Sequence, residues 1–152
     1  MLLRLVAFLV LNFGALGVGG LFTGTGVKSS WYNNLNKAPW TPPGWMFGTA
    51  WTTIMICFSL YMTYLWPRVE NKSWLIGLFG LQWILNIIWN PLFFHFKQTS
   101  LALISIILLS ILVGYFLFSF RSILQTKTLL IVPYFLWLLI ASSLNAYIVL
   151  NN

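Results

Sequence analysis

The chain has 152 residues, 60% of them hydrophobic and 6% charged, with a formal net charge of +7. A soluble domain carries about 25% charged residues, so this composition excludes one; with a mean hydropathy of +0.89 it describes a polytopic membrane protein. The basic excess would suggest nucleic acid in a soluble chain, but Arg4, Lys28, Lys37, Arg68, Lys72, Lys97, Arg121 and Lys127 all flank apolar runs, so they report topology and no nucleic-acid partner is expected.

The first apolar run, Leu2 to Phe22, contains Asn12, Gly14, Gly17, Gly19 and Gly20. It is long, rich in glycine and lacks an A-x-A cleavage site, so it reads as a retained span and not as a leader peptide. Gly20 and Gly24 stand at GxxxG spacing, which lets helix backbones approach closely.

The next stretch, Trp31 to Trp51, reads WYNNLNKAPWTPPGWMFGTAW. Pro39, Pro42 and Pro43 forbid a regular helix through its middle, because each lacks an N–H and fixes φ. Trp31, Tyr32, Trp40 and Trp45 combine an apolar ring with a polar handle, a chemistry suited to the membrane–water boundary. The loop from Gly24 to Pro43 is therefore expected to act as a stiff aromatic lid, with Trp31, Trp40 and Pro42 as its covering residues. Thr41 is the candidate cap of the following helix and Pro43 a residue of its first turn.

Gly44 to Trp66 is the second span, ended by Pro67. Arg68, Glu70 and Lys72 form a turn, in which Glu70 reads as a surface ion pair. Trp74 to Phe94 is the third span, His95–Thr99 a connection, Ser100 to Phe120 the fourth span, Arg121–Thr126 a turn and Leu129 to Leu150 the fifth span. Each run has about the 20 residues that cross a hydrocarbon core. The expected fold class is an all-α membrane protein, a five-transmembrane-helix bundle with a long loop between helices 1 and 2, forming one domain over residues 1–152. Arg4, Arg68, Lys72, Arg121 and Lys127 lie on the N-terminal side, against Lys28, Lys37 and Lys97 on the other. That bias points to a multi-pass protein of the cell membrane with a cytoplasmic N-terminus.

One His and one acidic residue leave no catalytic constellation and no metal site. Cys57 is the only cysteine, so no intramolecular disulfide is possible. His95, beside Lys97 and on the face opposite Asn86, reads as a solvated loop residue. Polar groups inside spans are costly and need partners or a purpose. Gln82, Asn86, Trp89, Asn90 and Phe93 fall on one stripe of the third span, and Pro133, Trp137, Ala141, Leu144 and Asn145 on one stripe of the fifth. The second span presents Phe47, Gly48, Trp51, Met55, Phe58 and Met62. At a rise of about 1.5 Å per residue, Trp51, Asn90 and Asn145 all lie within roughly 10 Å of the lid side. Trp31, Trp40, Trp45, Trp66 and Trp74 sit at span edges as an interfacial belt, whereas Trp51, Trp83, Trp89 and Trp137 are deeper. Taken singly, each asparagine reads as interhelical glue. Their coincidence with Trp51 and Trp137 makes a ligand pocket, mostly apolar with a few placed polar groups, an equal reading.

These residues resemble a known family, the tryptophan-rich sensory proteins, also called translocator proteins or peripheral-type benzodiazepine receptors. The loop stretch is similar to the family's W-Y-x-x-L-x-K-P-x-W-x-P-P signature. LNIIWNPLFF, Leu85 to Phe94, resembles its third-helix L-N-x-x-W-x-x-x-F-F motif. PYFLWLLIASSLN, Pro133 to Asn145, resembles its fifth-helix P-Y-x-x-W-x-x-x-A-x-x-L-N pattern. The resemblance implies a five-helix bundle, usually a homodimer, that binds porphyrin, haem or another hydrophobic small molecule beneath the first loop. Carried over residue by residue, the pocket comprises Trp51, Asn86, Trp89, Asn90, Phe93, Trp137 and Ala141. No resident cofactor is required; the partners are a tetrapyrrole or similar ligand and the lipid bilayer. Ala38 replaces the family's proline after Lys37, which is expected to loosen the loop. The chain ends Asn151–Asn152 without Tyr followed by Lys or Arg, so sterol binding is not expected. The implied function is tetrapyrrole binding and sensing. The alternatives are light- and oxygen-dependent porphyrin degradation, with Trp51 and Trp137 as redox-active neighbours, or facilitated transport. With no Asp or Glu in any span, a proton-coupled carrier is disfavoured.

Overall fold

A computed structural model describes residues 1–152. The chain is all-helical: α1 Leu2–Gly26, α2 Ser30–Asn34, α3 Gly44–Leu65, α4 Lys72–Asn90, α5 Thr99–Ser119, α6 Arg121–Leu124 and α7 Val132–Asn151. Five segments are long and apolar enough to cross a bilayer, namely Leu2–Gly26, Gly44–Arg68, Lys72–His95, Thr99–Ser119 and Arg121–Asn151. In hydrocarbon an unpaired backbone group has no water to turn to, and helices satisfy that demand within each segment.

The five long helices close into a ring. α1 packs against α3 and α4, α4 against α5, α5 against α7, and α7 back against α3. α4 and α7 are not close-packed neighbours; they meet across the interior through long side chains. The half of the ring away from the lid is filled by aromatics. Phe58 stacks on Phe79 and Tyr61 and meets Phe116 and Tyr134 edge-on. The Tyr61 hydroxyl donates to the Phe116 carbonyl at 2.7 Å, tying α3 to α5. Such interhelical bonds contribute about 0.6–1.7 kcal/mol each in a membrane. Others are Asn12 Nδ2 to Ser59 Oγ at 2.8 Å between α1 and α3, and Trp83 Nε1 to the Leu11 carbonyl at 2.9 Å between α4 and α1. Trp83, deep by position, is thus a rivet between two helices outside the interior.

Several boundaries depart from the expectation, each for a local reason. α1 runs four residues beyond Phe22 and ends at Gly26, which lies directly against Phe94. Thr41 does not cap α3: its hydroxyl donates to the Ala38 carbonyl at 2.6 Å, and Pro43 takes the N-cap position instead of the first turn. The third span is not one regular helix. Pro91 has no N–H to continue the α pattern, and Pro91–His95 forms a π-helical turn in which Phe96 N–H reaches the Pro91 carbonyl at 2.9 Å. The stretch Gln125–Ile131 is 3₁₀ helix, so the regular part of the fifth span starts at Val132 and the expected turn at Arg121–Thr126 is helical. Glu70 is exposed and forms no ion pair; Lys72 instead donates to the Trp66 and Val69 carbonyls. Gly20, Gly24 and Gly48 have open space beside them; on α1 the close approaches are made by Gly19 and Gly26.

Candidate functional site

The lid is ordered by short-range bonds. Ser29 Oγ accepts from Tyr32 N–H at 3.2 Å and donates to the Gly26 carbonyl at 2.6 Å, starting α2 directly from the end of α1. Pro39 then occupies the first central position of a turn closed by Thr41 N–H to the Ala38 carbonyl at 3.0 Å, a place that its fixed φ suits. Ala38 is buried there, so the residue expected to loosen the loop closes a turn doubly bonded to Thr41.

Aromatic contacts dock this lid on the ring. Trp31 meets Phe93 edge-on at 5.7 Å between centroids, and Tyr32 leans on Phe93 and Phe94. Burial raises the Tyr32 hydroxyl above its ordinary pKa. Trp40 keeps one face exposed, sets its edge on Tyr147 at 5.5 Å and donates Nε1–H to Ser143 Oγ at 3.2 Å. Pro42 is half-buried beside the turn. Lys37 and Lys97 lie over the rings of Tyr32 and Trp31 at 4.6 and 5.8 Å.

Beneath the lid, hydrogen bonds between α4 and α7 define two layers. In the upper one, Trp89 Nε1 donates to Asn145 Oδ1 at 3.1 Å and Asn145 Nδ2 donates to the Thr99 carbonyl at 2.9 Å. Trp89 stacks on Phe93 at 5.2 Å, with their planes 18° apart. In the lower one, Gln82 Nε2 donates to the Tyr134 hydroxyl at 2.8 Å, and Trp51 packs edge-on against Tyr134 at 5.9 Å. Between these layers stand Asn86, one turn above Gln82, and Trp137, one turn above Tyr134 and walled by Phe47 at 5.4 Å. Ala141 follows Trp137 one turn further up α7 and is half-buried.

The asparagines part company here. Asn90 is turned into the α1–α4 seam, where its Oδ1 accepts from Thr23 Oγ1 at 2.6 Å and its Nδ2 donates to the Asn86 carbonyl at 3.2 Å. Asn145 is engaged at both ends. Asn86 is buried, yet its side-chain amide has no hydrogen-bond partner in the protein. The Trp137 indole N–H is fully enclosed without an acceptor, and Gln82 Oε1 is enclosed without a donor. Buried polar groups are almost always paired; of the three fully enclosed side-chain atoms left without a partner, Trp137 Nε1 and Gln82 Oε1 lie on the two helices that face each other here, and the third, Thr128 Oγ1, lies in the Gln125–Ile131 segment. Trp51, Asn86, Trp89, Phe93, Trp137 and Ala141 border this interior, whereas Asn90 belongs to its outer wall.

Four participants were not singled out by sequence reasoning. Tyr134 appeared only as a letter of the fifth-helix motif, although a hydroxyl in an apolar run needs a partner. Thr23, Ser143 and Tyr147 carried no periodic signal; they matter through contacts made far along the chain.

Comparison with known proteins agrees with this architecture. The profile of the TspO/MBR family matches residues 5–150. The chain is 33% identical over 153 residues to the tryptophan-rich protein TspO of Archaeoglobus fulgidus, covering 99% of this chain and 98% of that one. It is 31% identical to a tryptophan-rich sensory protein of Cereibacter sphaeroides, over 76% of this chain and 72% of the relative. Against the human translocator protein the identity is 29%, over 84% of this chain and 78% of that protein. With five membrane-length helices, an aromatic first loop and a family match that runs nearly end to end, the chain belongs to the TspO/MBR family of multi-pass membrane proteins.

Proposed function

We propose that this protein binds a porphyrin, haem or another flat hydrophobic molecule in the ring interior between α3, α4 and α7, beneath the lid, and that binding and sensing is its role. The observation that carries the reading is the Trp137 indole N–H, buried without an acceptor in the same layer as the unpartnered Asn86 amide. A buried polar group left unpaired costs about 1–3 kcal/mol, and a ligand carbonyl, carboxylate or ring nitrogen would remove that cost. The rings of Trp51 and Trp89, both half-buried, offer stacking surface to a macrocycle, with Phe93 stacked behind Trp89. Lys37 and Lys97 at the lid supply charge for propionates. In this reading the lid and the C-terminus lie outside the cell membrane, the N-terminus is cytoplasmic, and two copies associate.

The test is to purify the protein from haem-producing cells, identify what co-purifies by absorbance and mass spectrometry, and titrate the stripped protein with protoporphyrin by tryptophan quenching. Saturable quenching at one site per chain is expected. Quenching that rises linearly without saturation, as for partition into detergent, sinks the proposal.

A further inference from the structure

At the end of the bundle opposite the lid, a groove of about 420 Å³ runs between the start of α1, the end of α3 and the start of α4. Its walls are Leu3, Ala7, Trp66, Ile76 and Phe79, and Arg4 adds the only charged side chain. The floor is rigid: Phe8 sets its edge against Phe79 at 5.3 Å and against Trp66 at 6.0 Å. The groove lies between segments long and apolar enough to cross a bilayer, so its apolar walls suit a molecule dissolved in lipid.

The groove's mouth is basic. Arg4 lies in the first turn of α1, is exposed and has no hydrogen-bond or ion-pair partner in the protein. It lines the groove, and a stem laid on apolar surface with the guanidinium kept at the interface is the usual posture of such a side chain. Lys72 stands 5.6 Å from the ring centroid of Trp66, held by two backbone carbonyls. The first turn of α1 has no side-chain cap, so its free N–H groups add the positive end of the helix dipole. Glu70, the only acidic residue, pairs with neither cation. Basic pockets between transmembrane helices at the cytoplasmic side favour anionic headgroups.

We propose that this groove seats an acyl chain of an anionic phospholipid, whose phosphate is held by Arg4 in the field of Lys72. A second groove of about 410 Å³, between α3 and the Gln125–Ile131 segment, provides the internal control. There Lys127 lies over the Tyr64 ring at 4.2 Å, and it is the one cation lining that groove, with no unpartnered guanidinium beside it.

Native mass spectrometry of the detergent-purified protein, offered equal phosphatidylglycerol and phosphatidylcholine, tests the site. Wild type is expected to retain phosphatidylglycerol preferentially. Arg4→Gln should lower that preference about fivefold, or about 1 kcal/mol, while Arg4→Lys keeps most of it. Ala7→Phe, which fills the groove and leaves the charges, should release the lipid, and Lys127→Gln should change nothing. Circular dichroism checks that each variant is folded. Equal retention of the two lipids by wild type overturns the proposal, as does an equal effect of Lys127→Gln and Arg4→Gln. Competition by soluble glycerophosphoglycerol as effective as that by the intact lipid overturns the acyl seat.

Discussion

The side-chain amide of Asn152 clasps the backbone of Asn36 at two points, accepting from its N–H at 2.8 Å and donating to its carbonyl at 3.2 Å. The end of α7 thereby holds the lid down beside the Ala38–Thr41 turn. Each bond contributes about 0.5–1.5 kcal/mol net. Asn152→Ala should therefore speed amide exchange across Asn36–Thr41 by about tenfold, the factor that 1.4 kcal/mol implies. Saturating porphyrin should restore protection to Trp31–Trp40. Exchange that is the same in variant and wild type would show that the clasp carries no weight.

Glycines on α1 separate packing from spacing. A methyl on Gly19 would meet Asn90 Nδ2 at 2.5 Å, and that amide is held by bonds to Thr23 and Asn86. A methyl on Gly26 would meet Phe94 Cβ and Cγ at 2.5 Å, atoms close to the backbone and unable to swing away. Forcing extra volume into such contacts costs about 1–3 kcal/mol. Gly20 has open space beside it, and Ala there gains about 0.5–1 kcal/mol of helix propensity. Thermal unfolding in detergent should rank Gly26→Ala below Gly19→Ala, both below wild type, with Gly20→Ala at or above it. A loss in Gly20→Ala comparable to that in Gly19→Ala would mean that the outward face is packed against something.

The contrast between Gly19 and Gly20 shows what was legible in advance. Five spans and their lid were readable because length and hydropathy are local properties, summed over about 20 residues. The facing of individual residues was not. GxxxG spacing marks Gly20 and Gly24, yet rotation of α1 against α4 places Gly19 and Gly26 in the seam. Asn86 and Asn90 share a stripe in sequence, but Thr23 draws Asn90 into the α1–α4 contact and leaves Asn86 free. Pro91 inside the third span was a readable break that the apolar run disguised. The Asn36–Asn152 clasp joins residues 116 positions apart and has no local signature.

Trp51 and Trp137 should matter differently for binding and for chemistry. Each indole offers stacking area worth about 1–3 kcal/mol by analogy with base–aromatic stacking. The Phe variants keep a ring, whereas the Ala variants remove it. For a binding protein, Trp51→Phe and Trp137→Phe should hold porphyrin almost normally and the Ala forms about tenfold more weakly. For a photochemical enzyme, the Phe variants should bind but cease to bleach porphyrin under light and oxygen. Tryptophan quenching followed by illumination of the same samples reads both. A double Ala variant that binds like wild type would remove the site from this interior.

Reporter fusions after Arg121 and after Asn152 check the topology. Only α7 crosses between them, so a cytoplasmic reporter should be active after Arg121 and silent after Asn152. Matching signals at the two points would contradict the five-span arrangement.

The order of helices around the ring has a consequence for biogenesis. As the chain emerges, α1, α3, α4 and α5 can form only an open arc, with α3 at one end and α5 at the other. α7, the fifth of the long helices in chain order, is the stave that closes it, and it arrives carrying Tyr134, Trp137 and Asn145. Until then Gln82 and Trp89 have no partner across the interior. The lid likewise has nothing to anchor Trp40 or Asn36. The contacts across the interior and those that anchor the loop are therefore acquired together, when α7 inserts, and a nascent chain stalled before α7 leaves Gln82 and Trp89 as an unmet polar stripe.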